Sequence, residues 1–132
     1  MAVEVVVVDI EKQVEYWRAG ATEDLDTSRL LMDSDKLLPC LFFLHLATEK
    51  MIKALYCRRS GELAPRTHDL PRLVEVAGIV VSVEQRDLLS ILTRYNLEGR
   101  YPMEHPSYPP KHIVSSYWDA IEELLRWFET ML

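Results

Sequence analysis

The chain has only two cysteines and no excess of basic charge among its 132 residues. Each shortage excludes something. Cys40 and Cys57 fall in one predicted helix, where a rise of about 1.5 Å per residue places them roughly 25 Å apart, too far for a disulfide. Two such thiols without paired-cysteine spacing exclude a disulfide scaffold and fit a reducing, cytoplasmic setting. A formal charge of −6 argues against broad attraction to nucleic acid, so any RNA site must be locally basic. The Val-rich start from Val3 to Val8 is far shorter than the roughly 20 apolar residues of a membrane span, and it lacks the flanks of a signal peptide. No membrane association is expected.

What is present is an ordinary globular composition, 48% hydrophobic and 27% charged, at a length suited to one domain spanning 1–132. Apolar positions recur at helical intervals through Ile10, Val14, Trp17, Ala21, Leu25 and Met32, which predicts a first helix from Ile10 to about Asp33 that runs through Gly20 and is broken in its stripe by Ser28. Ser34 or Asp35 can cap a second helix from about Leu37 to Arg59, with Pro39 in its first turn. Its Leu38 to Ala47 half carries one polar side chain, His45, so nearly every side must meet protein. In its later half His45, Glu49, Lys53 and Tyr56 form one polar stripe.

Gly61 ends that helix, and Thr67 can cap a short third one with Leu70, Leu73, Val74 and Ala77 on its inner face. Ser82 and Gln85 make a capping box for a fourth, with Leu88, Ile91, Leu92 and Tyr95 as its core face and an end near Leu97 to Gly99. Prolines at 102, 106, 109 and 110 break regular structure before a final helix bearing Ile113, Tyr117, Ala120, Ile121, Leu124, Trp127, Phe128 and Met131. Val3 to Val8 and Ile79 to Val83 look strand-like, but two short runs make no independent sheet. The expected fold is all-α, an up-and-down antiparallel bundle of about five helices.

The order Phe43-Leu44-His45-Leu46-Ala47-Thr48-Glu49-Lys50-Met51-Ile52-Lys53-Ala54-Leu55, then Pro65-Arg66-Thr67-His68-Asp69-Leu70, resembles the HEPN family (higher eukaryotes and prokaryotes nucleotide-binding domain). Trp17, Asp24-Leu25, Leu30-Leu31, Arg94-Tyr95 and Gly99-Arg100-Tyr101-Pro102 extend the likeness over nearly the whole chain. The resemblance implies a helical bundle, commonly a homodimer, often paired with a minimal nucleotidyltransferase in toxin and antitoxin systems. Many members are RNases that need no metal or cofactor. Their signature is an Arg and a His separated by four to six residues, a spacing that Arg100 and His105 meet.

Cleavage beside a 2′-hydroxyl needs a base, an acid and a cation for the added phosphate charge. His105 suits proton transfer near neutral pH, and Arg100 stays charged and can hold two phosphate oxygens. Arg94, Tyr101, Glu49, Lys53 and His45 are the candidate nucleotide- or RNA-binding residues. Glu49 and Lys53 can equally be a helix-surface ion pair, the reading their spacing favours. Tyr95 lies on a core stripe, and His68 with Asp69 reads as a helix start rather than a dyad. Trp118 and Trp127 read as core or dimer contact. No metal-ligand cluster stands out. Two functions stay open: an RNA- or nucleotide-binding partner subunit with metal-independent endoribonuclease activity, and a non-catalytic dimeric nucleotide-binding or adaptor module.

Overall fold

The computed structural model describes residues 7–98, 100, 102–104 and 106–132. Most of the Val3 to Val8 run, Tyr101 and His105 therefore lie outside the described residues. Five α-helices follow in order: α1 (Ile10–Asp33), α2 (Leu37–Ser60), α3 (Leu70–Val76), α4 (Val83–Thr93) and α5 (Lys111–Glu129), with a 3₁₀ turn at Pro102–Glu104. Among the described residues there is no strand, and no helix is long and apolar enough to cross a membrane.

The fold is organised around α2, which packs against α1, α3, α4 and α5, most extensively against α1. Its apolar composition explains this role: Cys40, Leu41, Leu44, Ala47, Ile52, Ala54, Leu55 and Cys57 all have 0% exposure. An α-helix that is apolar around its circumference must be covered by neighbours on every side. Here they are supplied by Leu70 and Leu73 of α3, Leu89 and Leu92 of α4, and Ile121 and Phe128 of α5, all fully buried.

The turn between α1 and α2 differs from the expected cap. Asp35 has φ 59°, in the left-handed region, while Lys36 N–H bonds to the Leu31 carbonyl at 2.8 Å and Asp35 N–H to the Met32 carbonyl at 3.0 Å. This pair of bonds is a Schellman closure of α1. Asp35 therefore closes the first helix, and Lys36 is the N-cap of α2, with no side-chain cap hydrogen bond. Gly78 does the same for α3 with φ 71°, Ile79 N–H reaching the Val74 carbonyl at 2.9 Å. Ile79 is buried as the apolar residue that follows such a closure, which accounts for its strand-like neighbourhood.

Asp69, not Thr67, caps α3 by accepting from Arg72 N–H, and the Thr67 hydroxyl accepts from Asp69 N–H. The Ser82–Gln85 capping box is present. Helix α4 ends at Thr93, earlier than expected, and turns about its axis so that Leu89 and Leu92 are buried while Leu88 and Ile91 are half-buried. In α5 the buried row is Val114, Trp118, Ile121, Leu124, Leu125 and Phe128, one position round from the expected one, and Trp127 is 40% exposed. Ser28, the polar break in the α1 stripe, is matched by Trp118, whose indole N–H donates to Ser28 Oγ at 2.8 Å. Ser28 in turn donates to the Leu25 carbonyl.

Candidate functional site

Positions 45, 49 and 53 recur every fourth residue, which stacks them along one side of α2. That side faces the start of α3 and is closed from solvent. His45 is 0% exposed, and Glu49 and Lys53 are each 5% exposed. The expected Glu49–Lys53 pair forms, with Lys53 Nζ donating to Glu49 Oε2 at 3.1 Å, but it is a buried pair and not a surface one. Lys53 also stands 5.2 Å over the Trp17 ring, a cation–π contact that adds to its charge compensation. Tyr56 leaves the group, its hydroxyl directed to Glu62 at 3.4 Å.

The remaining oxygen of Glu49 has a partner that helical periodicity does not indicate. His68, in the loop before α3, places Nδ1 2.8 Å from Glu49 Oε1. Its backbone carbonyl accepts from His45 Nε2 at 3.0 Å. His45 therefore carries a proton on Nε2, and the 3.9 Å separation from Glu49 Oε1 is too long for a hydrogen bond. Burial holds the His45 pKa below its ordinary value, outweighing the opposing pull of the His68 carbonyl and Glu49. His45 Nδ1 has no hydrogen-bond partner among the described residues.

A second group lies at the end of α4. Arg94 and Arg100 are exposed, and the Arg100 guanidinium donates to three backbone carbonyls: Asn96 from Nε at 2.8 Å, Arg94 from Nη2 at 3.0 Å and Glu104 from Nη1 at 3.4 Å. It thereby ties the chain leaving α4 to the 3₁₀ turn. Each terminal nitrogen carries a second N–H that these carbonyls do not use. Tyr95 is buried, as its place on the stripe predicts, with its hydroxyl 3.5 Å from the Ser107 carbonyl.

The two groups meet at His68. Its Nε2 lies 3.8 Å from Glu98 Oε2, in the segment that Arg100 binds, and Leu70 N–H donates to Thr93 Oγ1 at 3.2 Å across the same junction. Of the predicted site residues, the structure gathers His45, Glu49 and Lys53 in one buried network and Arg94 and Arg100 at one loop, while Tyr101 and His105 are outside the described residues. His68 is the residue that sequence reasoning set aside. The available signal was Glu49 itself: a carboxylate on an apolar helix needs more than one compensating donor. No group of three or more His, Cys, Asp or Glu side chains among the described residues is placed to hold a metal ion.

A sequence profile of the HEPN domain matches residues 14–131. Among solved structures, the chain is similar to the crystal structure of TT1696 from Thermus thermophilus, with a TM-score of 0.75 at 18% identity over 91% of this chain and 98% of that one. At that identity the likeness is one of fold. No curated protein sequence matches significantly.

Proposed function

Because the chain belongs to the HEPN family, we propose that it is an RNA- or nucleotide-binding subunit with metal-independent endoribonuclease activity centred on Arg100 and His105. The observation that carries this reading is the position of Arg100. It is exposed at the end of α4, close in the chain to a second exposed guanidinium, Arg94, in a segment that contacts the buried polar network through Glu98 and His68. These two guanidiniums, set among Glu98 and Glu104, are the cations this segment offers a phosphate.

Arg100 holds the phosphate in this reading, Arg94 contributes further attraction, Tyr101 stacks on a base and His105 transfers protons. Glu49, Lys53 and His45 form the fixed inner wall. We further propose that the protein works as a homodimer and as the partner of a minimal nucleotidyltransferase in a toxin and antitoxin type pair. One observation favours the alternative, a non-catalytic nucleotide-binding module: the three carbonyls held by Arg100 give it a sufficient structural task.

The test is incubation of the purified protein with RNA in excess chelator. Cleavage that is lost in Arg100→Ala and in His105→Ala supports the endoribonuclease. Nucleotide or RNA binding without cleavage supports the module. Co-purification with the product of an adjacent small nucleotidyltransferase gene tests the pairing.

A further inference from the structure

His68 takes no part in the assignment above, yet its setting is that of an acid–base group. Its Nδ1 is 2.8 Å from Glu49 Oε1, and the carboxylate is itself fixed, because Glu49 is 5% exposed and its other oxygen accepts from Lys53. The His68 carbonyl is held by His45. Ring and backbone are thus both anchored to α2. A neutral imidazole that donates from Nδ1 to a carboxylate has its lone pair on Nε2, and the His68 side chain is 43% exposed. Near Nε2 stands Glu98, at 3.8 Å, beyond hydrogen-bond distance and on an exposed side chain that a substrate can displace. Among the described residues, the charged and titratable groups facing this ring are Glu49 and Glu98, with His45 behind its carbonyl.

We infer that His68, oriented by Glu49, is a second substrate-contacting imidazole, its Nε2 meeting the RNA phosphodiester that Arg100 holds. This rests on the RNA reading above and names a base for it. In an in-line displacement the attacking and departing oxygens lie on opposite sides of phosphorus, so the step takes a base on one side and an acid on the other. His68 Nε2 takes the 2′-hydroxyl proton as the 2′-oxygen bonds to phosphorus. The bond from phosphorus to the 5′-oxygen breaks, and His105 gives that oxygen its proton. The products are a 2′,3′-cyclic phosphate and a 5′-hydroxyl, and exchange with solvent returns both imidazoles to their starting states.

The experiment uses the full chain, an RNA oligonucleotide and the same oligonucleotide with 2′-deoxy sugars, which binds without being cleaved. Imidazole ¹⁵N resonances of the wild type are recorded on titration with the deoxy analogue, the His68 signal being assigned from its absence in His68→Gln and His68→Asn. Cleavage rates of both variants are measured against pH. The expected result is a shift of the His68 signal on binding, a loss of about 10²- to 10⁴-fold in cleavage, and disappearance of the acidic limb of the pH profile, where a general base is inactivated by protonation. A His68 signal unmoved at saturation, or variants that cleave at the wild-type rate with an unchanged profile, overturns the inference and leaves the endoribonuclease reading intact. Binding that shifts the His68 signal without any cleavage by the wild type retains His68 as a contact and overturns the cleavage reading. Absence of both binding and cleavage overturns both.

Discussion

Glu49 Oε1 and His68 Nδ1 stand 2.8 Å apart although 19 residues separate them in the chain. That contact joins the central helix to the loop before α3, and through Glu98 to the segment that carries Arg100. It places a buried carboxylate between a lysine and an imidazole, so the electrostatics of the bundle interior and the candidate site are the same problem.

Glu49 compensates Lys53, which is buried with it. Removing one member of a buried pair strands the other, at a cost of about 3–5 kcal/mol. Glu49→Ala is expected to lose that much stability in urea denaturation. Glu49→Leu combined with Lys53→Met, which removes both charges while keeping the volume, is expected to lose much less. Equal losses in the single and double variants would contradict the pairing.

His45 sets an acid sensitivity. Burial depresses its folded-state pKa below the unfolded value of about 6.5, so the unfolded chain binds more protons in the interval between the two. Stability therefore falls as pH drops below about 6.5 and continues to fall until the folded pKa is passed. Denaturation midpoints measured from pH 7.5 to 5 are expected to decline in the wild type and to decline less in His45→Gln, which retains a donor for the His68 carbonyl. Parallel curves would remove His45 as the cause.

The cysteines report on the packing of α2. Burial pushes the Cys40 thiol up to about 11 and raises that of Cys57 as well, and both are 0% exposed. Thiolate is the reactive species, so neither is expected to react with a disulfide reagent at pH 8 until denaturant is added, when both should react. Rapid labelling of the native protein would contradict the central position of the helix.

Much of this fold is legible in the sequence because helical periodicity and end signals act locally. The bounds of α1 and α2, the Ser82–Gln85 box and the stop at Gly61 all follow from residues within a turn of one another. What escaped depends on neighbours distant in sequence. Leu89 replaces Leu88 at the centre of the α4 face, and Val114 and Trp118 replace Ile113 and Tyr117 in α5, because the rotation of a helix about its axis is decided by what it packs against. Ser28 looked like a defect until Trp118 supplied its partner. At the site, the spacing of Glu49 and Lys53 indicated their pair but not its burial. No helical phase relates His68, a loop residue, to Glu49, so its position depends on how the loop crosses α2.

The central claim is that Arg100 and His105 act on an RNA phosphodiester through the neighbouring 2′-hydroxyl, and the chemistry of the cleaved ends tests it most directly. A defined oligoribonucleotide is incubated with the protein in chelator, alongside a copy bearing one 2′-deoxy sugar at the cleaved position, and the products are analysed by mass spectrometry. The expected result is a 2′,3′-cyclic phosphate with a 5′-hydroxyl end from the all-ribose strand, and no cut at the deoxy position. A 5′-phosphate product, cleavage at the deoxy position, or no cleavage of either strand would contradict the account.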